Sequence, residues 1–164
     1  MRQVKILAAA FLVIAVAAPA AVMAQTTGTM VTAAASGSYP AGSTYNGTPL
    51  EAIHLSGGVD MEPELVTGRL NIRLVSPAVL GTRTVISVEG IAASGSRVDA
   101  NTATVSGTAA VETGGVRVDG VPFVATIATN AEGHGAVTLV LGTTALPAAT
   151  INEGSMTIKD VDLE

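Results

Sequence analysis

From residue 102 to 111 the chain alternates without a break. Ala103, Val105, Gly107, Ala109 and Val111 fall on one side of an extended backbone, and Thr102, Thr104, Ser106, Thr108 and Ala110 on the other. Successive Cβ atoms of a strand point to opposite faces, so a period of two sustained this long specifies a half-buried strand. The pattern recurs where Leu70, Ile72 and Leu74 alternate with Asn71, Arg73 and Val75, and where Phe123, Ala125 and Ile127 alternate with Val124, Thr126 and Ala128. Val, Ile and Thr are abundant, and no long 3.6-residue apolar period follows residue 24. The fold class is therefore all-β. Aromatic residues are only 2% of the chain, and past residue 24 they are Tyr39, Tyr45 and Phe123. The core must be built from Val, Ile, Leu and Ala around one phenyl ring, and without any cysteine it must hold by packing alone.

Gly with Asn, Asp or Pro punctuates the strands. Asp119-Gly120 lies between Val116-Arg117-Val118 and Val121-Pro122-Phe123, the spacing of a two-residue type I′ hairpin. Pro122 cannot donate to a ladder, which places it at a strand start or on an edge. A longer turn, residues 130–135, precedes Val137, Leu139 and Leu141, while Leu146-Pro147 and Asn152-Glu153-Gly154 bracket two last strands at 148–151 and 155–159. Residues 50–56, 65–76 and 83–91 are further strands. Turn signals this regular suit consecutive antiparallel strands and not βαβ units, and the expected architecture is an antiparallel β-sandwich of immunoglobulin-like or jelly-roll type.

Residues 1–24 read as an export leader instead of as structure. Arg2 and Lys5 form a positive start, residues 6–18 an apolar run, and Val22-Met23-Ala24 a small-residue cleavage site before Gln25. Pro19 interrupts the run, which is too short for a spanning helix. The expected organisation is a signal peptide at 1–24, a polar flexible arm or edge strand at 25–49, rich in Thr, Ser, Ala and Gly, and a β-sandwich domain at 50–164. Removing the leader takes away two of the eight Lys and Arg and none of the 13 Asp and Glu, leaving six basic against 13 acidic side chains and a net charge of −7. The remaining basic residues are spread singly, and that balance argues against nucleic acid or anionic lipid as a partner. The product is expected to be secreted or periplasmic, with no membrane span.

Residues 102–158 also carry an order of short patterns: Ala103-Thr104-Val105-Ser106-Gly107-Thr108-Ala109, Pro122-Phe123-Val124-Ala125-Thr126-Ile127, a stretch from Gly133 to Leu141, and Asn152-Glu153-Gly154-Ser155-Met156-Thr157-Ile158. This order resembles a β-rich module found at the C-terminal end of many bacterial secreted proteins. In that module an Asp-Asn-Gly turn follows the Phe strand, where this chain has Asn130-Ala131-Glu132-Gly133. The resemblance implies export and a β fold, and it carries no catalytic residue across.

Chemistry is sparse. Catalysis needs a positioned acid, base or nucleophile, and the chain has two histidines, His54 and His134, with no spacing that would hold a metal. Ser56 and Ser106 stand in no nucleophile-elbow pattern. Acids cluster once, in Asp60-Met61-Glu62-Pro63-Glu64, and Asp60, Glu62 and Glu64 are the candidate calcium ligands, although the Asp-x-Asp-x-Asp-Gly order is absent. Gly114-Gly115 and Gly133-His134-Gly135 precede no helix and so cradle no phosphate. No cofactor motif is present. These features point to an exported, non-enzymatic structural or binding module of the bacterial cell envelope. The alternatives are a self-associating subunit in which residues 25–49 add a strand to a neighbour's sheet, giving a homo-oligomer, and a calcium-dependent hydrolase around Asp60.

Overall fold

The alternating segments form eleven strands among residues 27–162, the part described by the computed structural model. They are β1 (Thr27–Ser38), β2 (Thr44–Tyr45), β3 (Thr48–Pro49), β4 (Ala52–Met61), β5 (Val66–Val75), β6 (Val85–Asp99), β7 (Thr102–Thr113), β8 (Val116–Thr129), β9 (Gly135–Leu141), β10 (Thr144–Ala145) and β11 (Ala149–Asp162). The expected leader and its cleavage site lie outside the described residues. The all-β class is what the structure has, but the sandwich is replaced by a closed antiparallel barrel of eight strands. Each of β1, β4, β5, β6, β7, β8, β9 and β11 pairs with the next, and β11 returns to β1. β10 is a short extension on β9, and β2 with β3 forms a separate two-stranded hairpin.

Closure requires strands to tilt and coil, and two sequence devices permit it. Bulges shift the register near Ser36, Ala92, Arg97 and Ala109. Glycines stand where backbones nearly touch: a Cβ at Gly37, Gly57, Gly107 or Gly154 would collide with a backbone oxygen of the adjacent strand. Inward positions from all eight strands then fill the barrel. Val31, Ile53, Leu70, Ile86, Val105, Ile127, Leu139 and Met156 are each buried in one cluster with Phe123. The phenyl ring fits because Gly90 faces it, where a Cβ would lie 2.9 Å from Phe123 Cε1. The inward faces read from alternation in β5, β7 and β8 are the buried ones, while Ile158 is only half-buried at the cluster's margin.

One expectation about local structure is corrected. Asp119-Gly120 is no hairpin; the chain reverses five residues earlier, at Gly114-Gly115, with φ of 58° and 80° and Thr113 opposite Val116. Asp119 and Gly120 form a bulge inside β8, between the pairs Val111↔Val118 and Ala109↔Val121. Gly120 has φ 74°, so the residue's freedom is used as expected but in a bulge instead of a turn. Pro122 stands, as expected, at a local edge: residues 116–122 of β8 have ladder pairs with β7 alone, and pairing with β9 begins only at Phe123. The β8–β9 ladder stops at Phe123↔Leu141, and beyond it the Pro122 carbonyl accepts from Gly142 N–H at 2.8 Å.

The described part of the segment expected as an arm or edge strand at 25–49, residues 27–49, is neither a loose arm nor an edge of the barrel. β1 is paired along its length with β11 on one side and β4 on the other, and Val31, Ala33 and Ala35 point into the core. Its small side chains bury little area, yet two flanking ladders satisfy its backbone. The barrel thus begins at β1 and not at residue 50, and β1 itself offers no free edge for strand addition along its paired length. The loop after β1 folds over one end of the barrel with Tyr39, Tyr45 and Leu50 buried. At the other end Arg97 on β6 pairs with Asp160 on β11 and donates to the carbonyls of Asp99 and Ala100 at 3.0 and 2.9 Å.

Tyr39 pays a penalty in that plug. Its hydroxyl is buried with no hydrogen-bond partner among the described residues, and burial pushes the phenol pKa up, keeping it neutral. An unsatisfied buried hydroxyl costs about 1 to 3 kcal/mol. Tyr39→Phe is therefore expected to raise stability by up to about 1 kcal/mol, seen as a higher urea midpoint at unchanged slope. A clearly lower midpoint would mean that the hydroxyl has a partner.

Candidate functional site

With the interior filled by side chains, the polar and charged side chains lie on the outer wall. Outward residues of β5 to β8 surround a groove of about 410 Å³ there. Cross-strand register explains its make-up: one row runs Asn71↔Glu89↔Ala110, and the next runs Arg69↔Ile91↔Thr108. Ala110, outward on β7, makes a low floor. Arg117 on β8 can therefore reach over that strand to Glu89 on β6.

Arg117 is held twice. Its Nη1 donates to Glu89 Oε2 at 3.0 Å and its Nε to Asp119 Oδ1 at 2.9 Å. Arg117 and Asp119 are two residues apart on one strand and so share a face. The hydrogen bond to Asp119, then that to Glu89, raises the Arg117 pKa above its ordinary value and keeps the guanidinium charged. Arg69, exposed across the groove, has no carboxylate partner among the described residues. Its direct cross-strand neighbours are Gly58 and Ile91; of its two diagonal acids, Glu89 on β6 is already bonded to Arg117, and Asp60 on β4 forms no ion pair with it. The groove thus holds one neutralised cation and one free one.

The residues singled out from sequence are elsewhere. Asp60 faces out one residue before the end of β4, and Glu62 and Glu64 are exposed in the turn closed by Glu62 and Leu65 backbone hydrogen bonds of 2.9 and 3.3 Å. Among the described residues no three His, Asp or Glu come together as a metal-binding group. His54 faces out from β4 between Ser36 and Arg73. His134 sits in the 130–135 turn, its backbone N–H bonded to Asn130 Oδ1 at 2.9 Å and its ring 4.0 Å from Glu132. Ser106 Oγ shares a 2.7 Å hydrogen bond with Ser94 Oγ, away from both histidines in the hydrogen-bond pattern. Arg69, Glu89, Arg117 and Asp119 escaped the sequence reading, in which the arginines looked isolated. Only the Arg117-x-Asp119 spacing announced a pair; the rest depends on strand register. Comparison with models of protein families, with curated proteins and with solved structures finds no match to this chain.

Proposed function

We propose that this chain is an exported, non-enzymatic binding or structural module of the bacterial cell envelope that works through its outer wall. The observation that carries the reading is the division of the barrel: an interior packed mainly with Val, Ile, Leu and Ala around Phe123, and a structured polar groove outside. A barrel spanning a bilayer turns an apolar band outwards and a polar lumen inwards. Here the order is reversed, with Thr104, Thr126, Thr138, Arg69, Arg73 and Glu112 facing out, which favours a water-facing module. No helix among the described residues is long and apolar enough to cross a membrane. The leader-like residues 1–24 support export.

Fractionation followed by intact-mass measurement tests this. The protein is expected in the periplasm or medium with a mass that begins at Gln25, and the purified protein used as bait is expected to retain an envelope component. A cytoplasmic protein that keeps Met1, or calcium-dependent turnover of an ester or glycoside, would overturn the reading.

A further inference from the structure

We propose that the outer-wall groove binds a small carboxylate with a hydrogen-bond donor beside it, with Arg69 as the primary anchor. This deepens the reading of the chain as a binding module and rests on it. The free guanidinium is the first ground. An arginine presents a planar fork of donors that matches a carboxylate bidentately, and Arg69 has its fork unspent while the acid that shares the groove with it on β6, Glu89, is held by Arg117. Asn71, two residues further along β5 on the same face, adds an amide donor to that wall.

The opposite wall is the second ground. Glu89 and Asp119 are fixed by Arg117, and each carboxylate keeps lone pairs that one arginine contact does not use. Positioned acceptors of this kind take a hydroxyl or ammonium donor from a ligand, and the alanine floor leaves room for it. Arg69 with Arg117 balances Glu89 with Asp119, so the empty groove carries no net charge and a carboxylate meets Arg69 without a repelling excess. A volume of about 410 Å³ suits a ligand of monosaccharide or dipeptide size. Ile91, more than half exposed, gives the groove one apolar contact. A sugar acid and a peptide C-terminus share this chemistry, and the test separates them.

The purified protein is titrated with galacturonate, with alanyl-alanine and with galactose, and backbone amide shifts are followed by NMR at low salt. Saturable shifts at Arg69, Asn71, Ile91 and Thr108 are expected with at least one of the acids and not with galactose. Response to galacturonate alone assigns a sugar acid, and response to the dipeptide alone assigns a peptide terminus. Arg69→Gln is expected to weaken binding about tenfold or more, as loss of a charge-assisted bidentate contact implies. Arg73→Gln removes an equally exposed cation of the same strand outside the groove and should change affinity less than about twofold. No saturable shift by about 50 mM of either acid, unchanged binding by Arg69→Gln, or an equal loss in Arg73→Gln would each overturn the assignment. An exported protein that ignores both acids rejects the groove and leaves the module reading standing; a cytoplasmic enzyme rejects the module reading whatever the groove binds.

Discussion

Phe123→Ala is expected to destabilise the barrel by about 3 to 5 kcal/mol, a large share of the roughly 5 to 15 kcal/mol that holds a domain together. The phenyl ring is 2% exposed and is the largest of the fully buried side chains. Its neighbours cannot close the gap easily, because the strands around it are hooped by hydrogen bonds on both sides. Gly90 gives the claim a sharper form. Gly90→Ala alone should also destabilise, since its Cβ would press on the ring from 2.9 Å. In Phe123→Ala the same methyl enters the vacated space, so the double variant should lose less than the two single losses added. Urea denaturation of the four proteins measures this. Strict additivity would show that Gly90 and Phe123 are not partners across the core.

Two adjacent glycines should behave in opposite ways. Gly57 has φ 133°, and a Cβ there would collide with the Arg69 carbonyl oxygen. Neither strain can relax without moving the β4–β5 ladder, and Gly57→Ala is expected to cost about 2 kcal/mol or more. Gly58 has no such conformation, and its Cβ would find the Val31 carbonyl oxygen at an ordinary 3.6 Å. Gly58→Ala should then be neutral, or stabilising by up to about 1 kcal/mol through the unfolded chain. Thermal melts decide it. Equal melting temperatures for the two variants would mean that the register around Leu70 is wrong.

What the sequence makes legible follows from range. The inward faces of β5, β7 and β8 are visible because alternation is a property of one strand, and Ala103, Val105, Phe123 and Ile127 need no neighbour to declare their side. β1 is underrated because Ala33 and Ala35 carry little hydrophobic signal, although pairing on both sides holds them. Asp119-Gly120 misleads because a left-handed glycine serves a bulge as well as a turn, and the breaks imagined at 119–120 and 152–154 cut β8 and β11, each of 14 residues, into pieces short enough for a sandwich. The groove is the least legible part. Glu89 and Arg117 lie 28 positions apart, and only the register of the intervening β7 brings them together.

The seam where β11 meets β1 has a mechanical meaning. Thr27 lies opposite Asp162, so the two ends of the barrel wall stand side by side at one rim. Tension applied through those ends loads the hydrogen bonds of the seam one pair at a time, as a zipper is opened, instead of shearing them together. The Thr32–Thr157 contact in that seam joins residues 125 positions apart, which makes this ladder the one of greatest sequence separation in the barrel. The ladder that joins the most distant parts of the sequence is then the first to part under load.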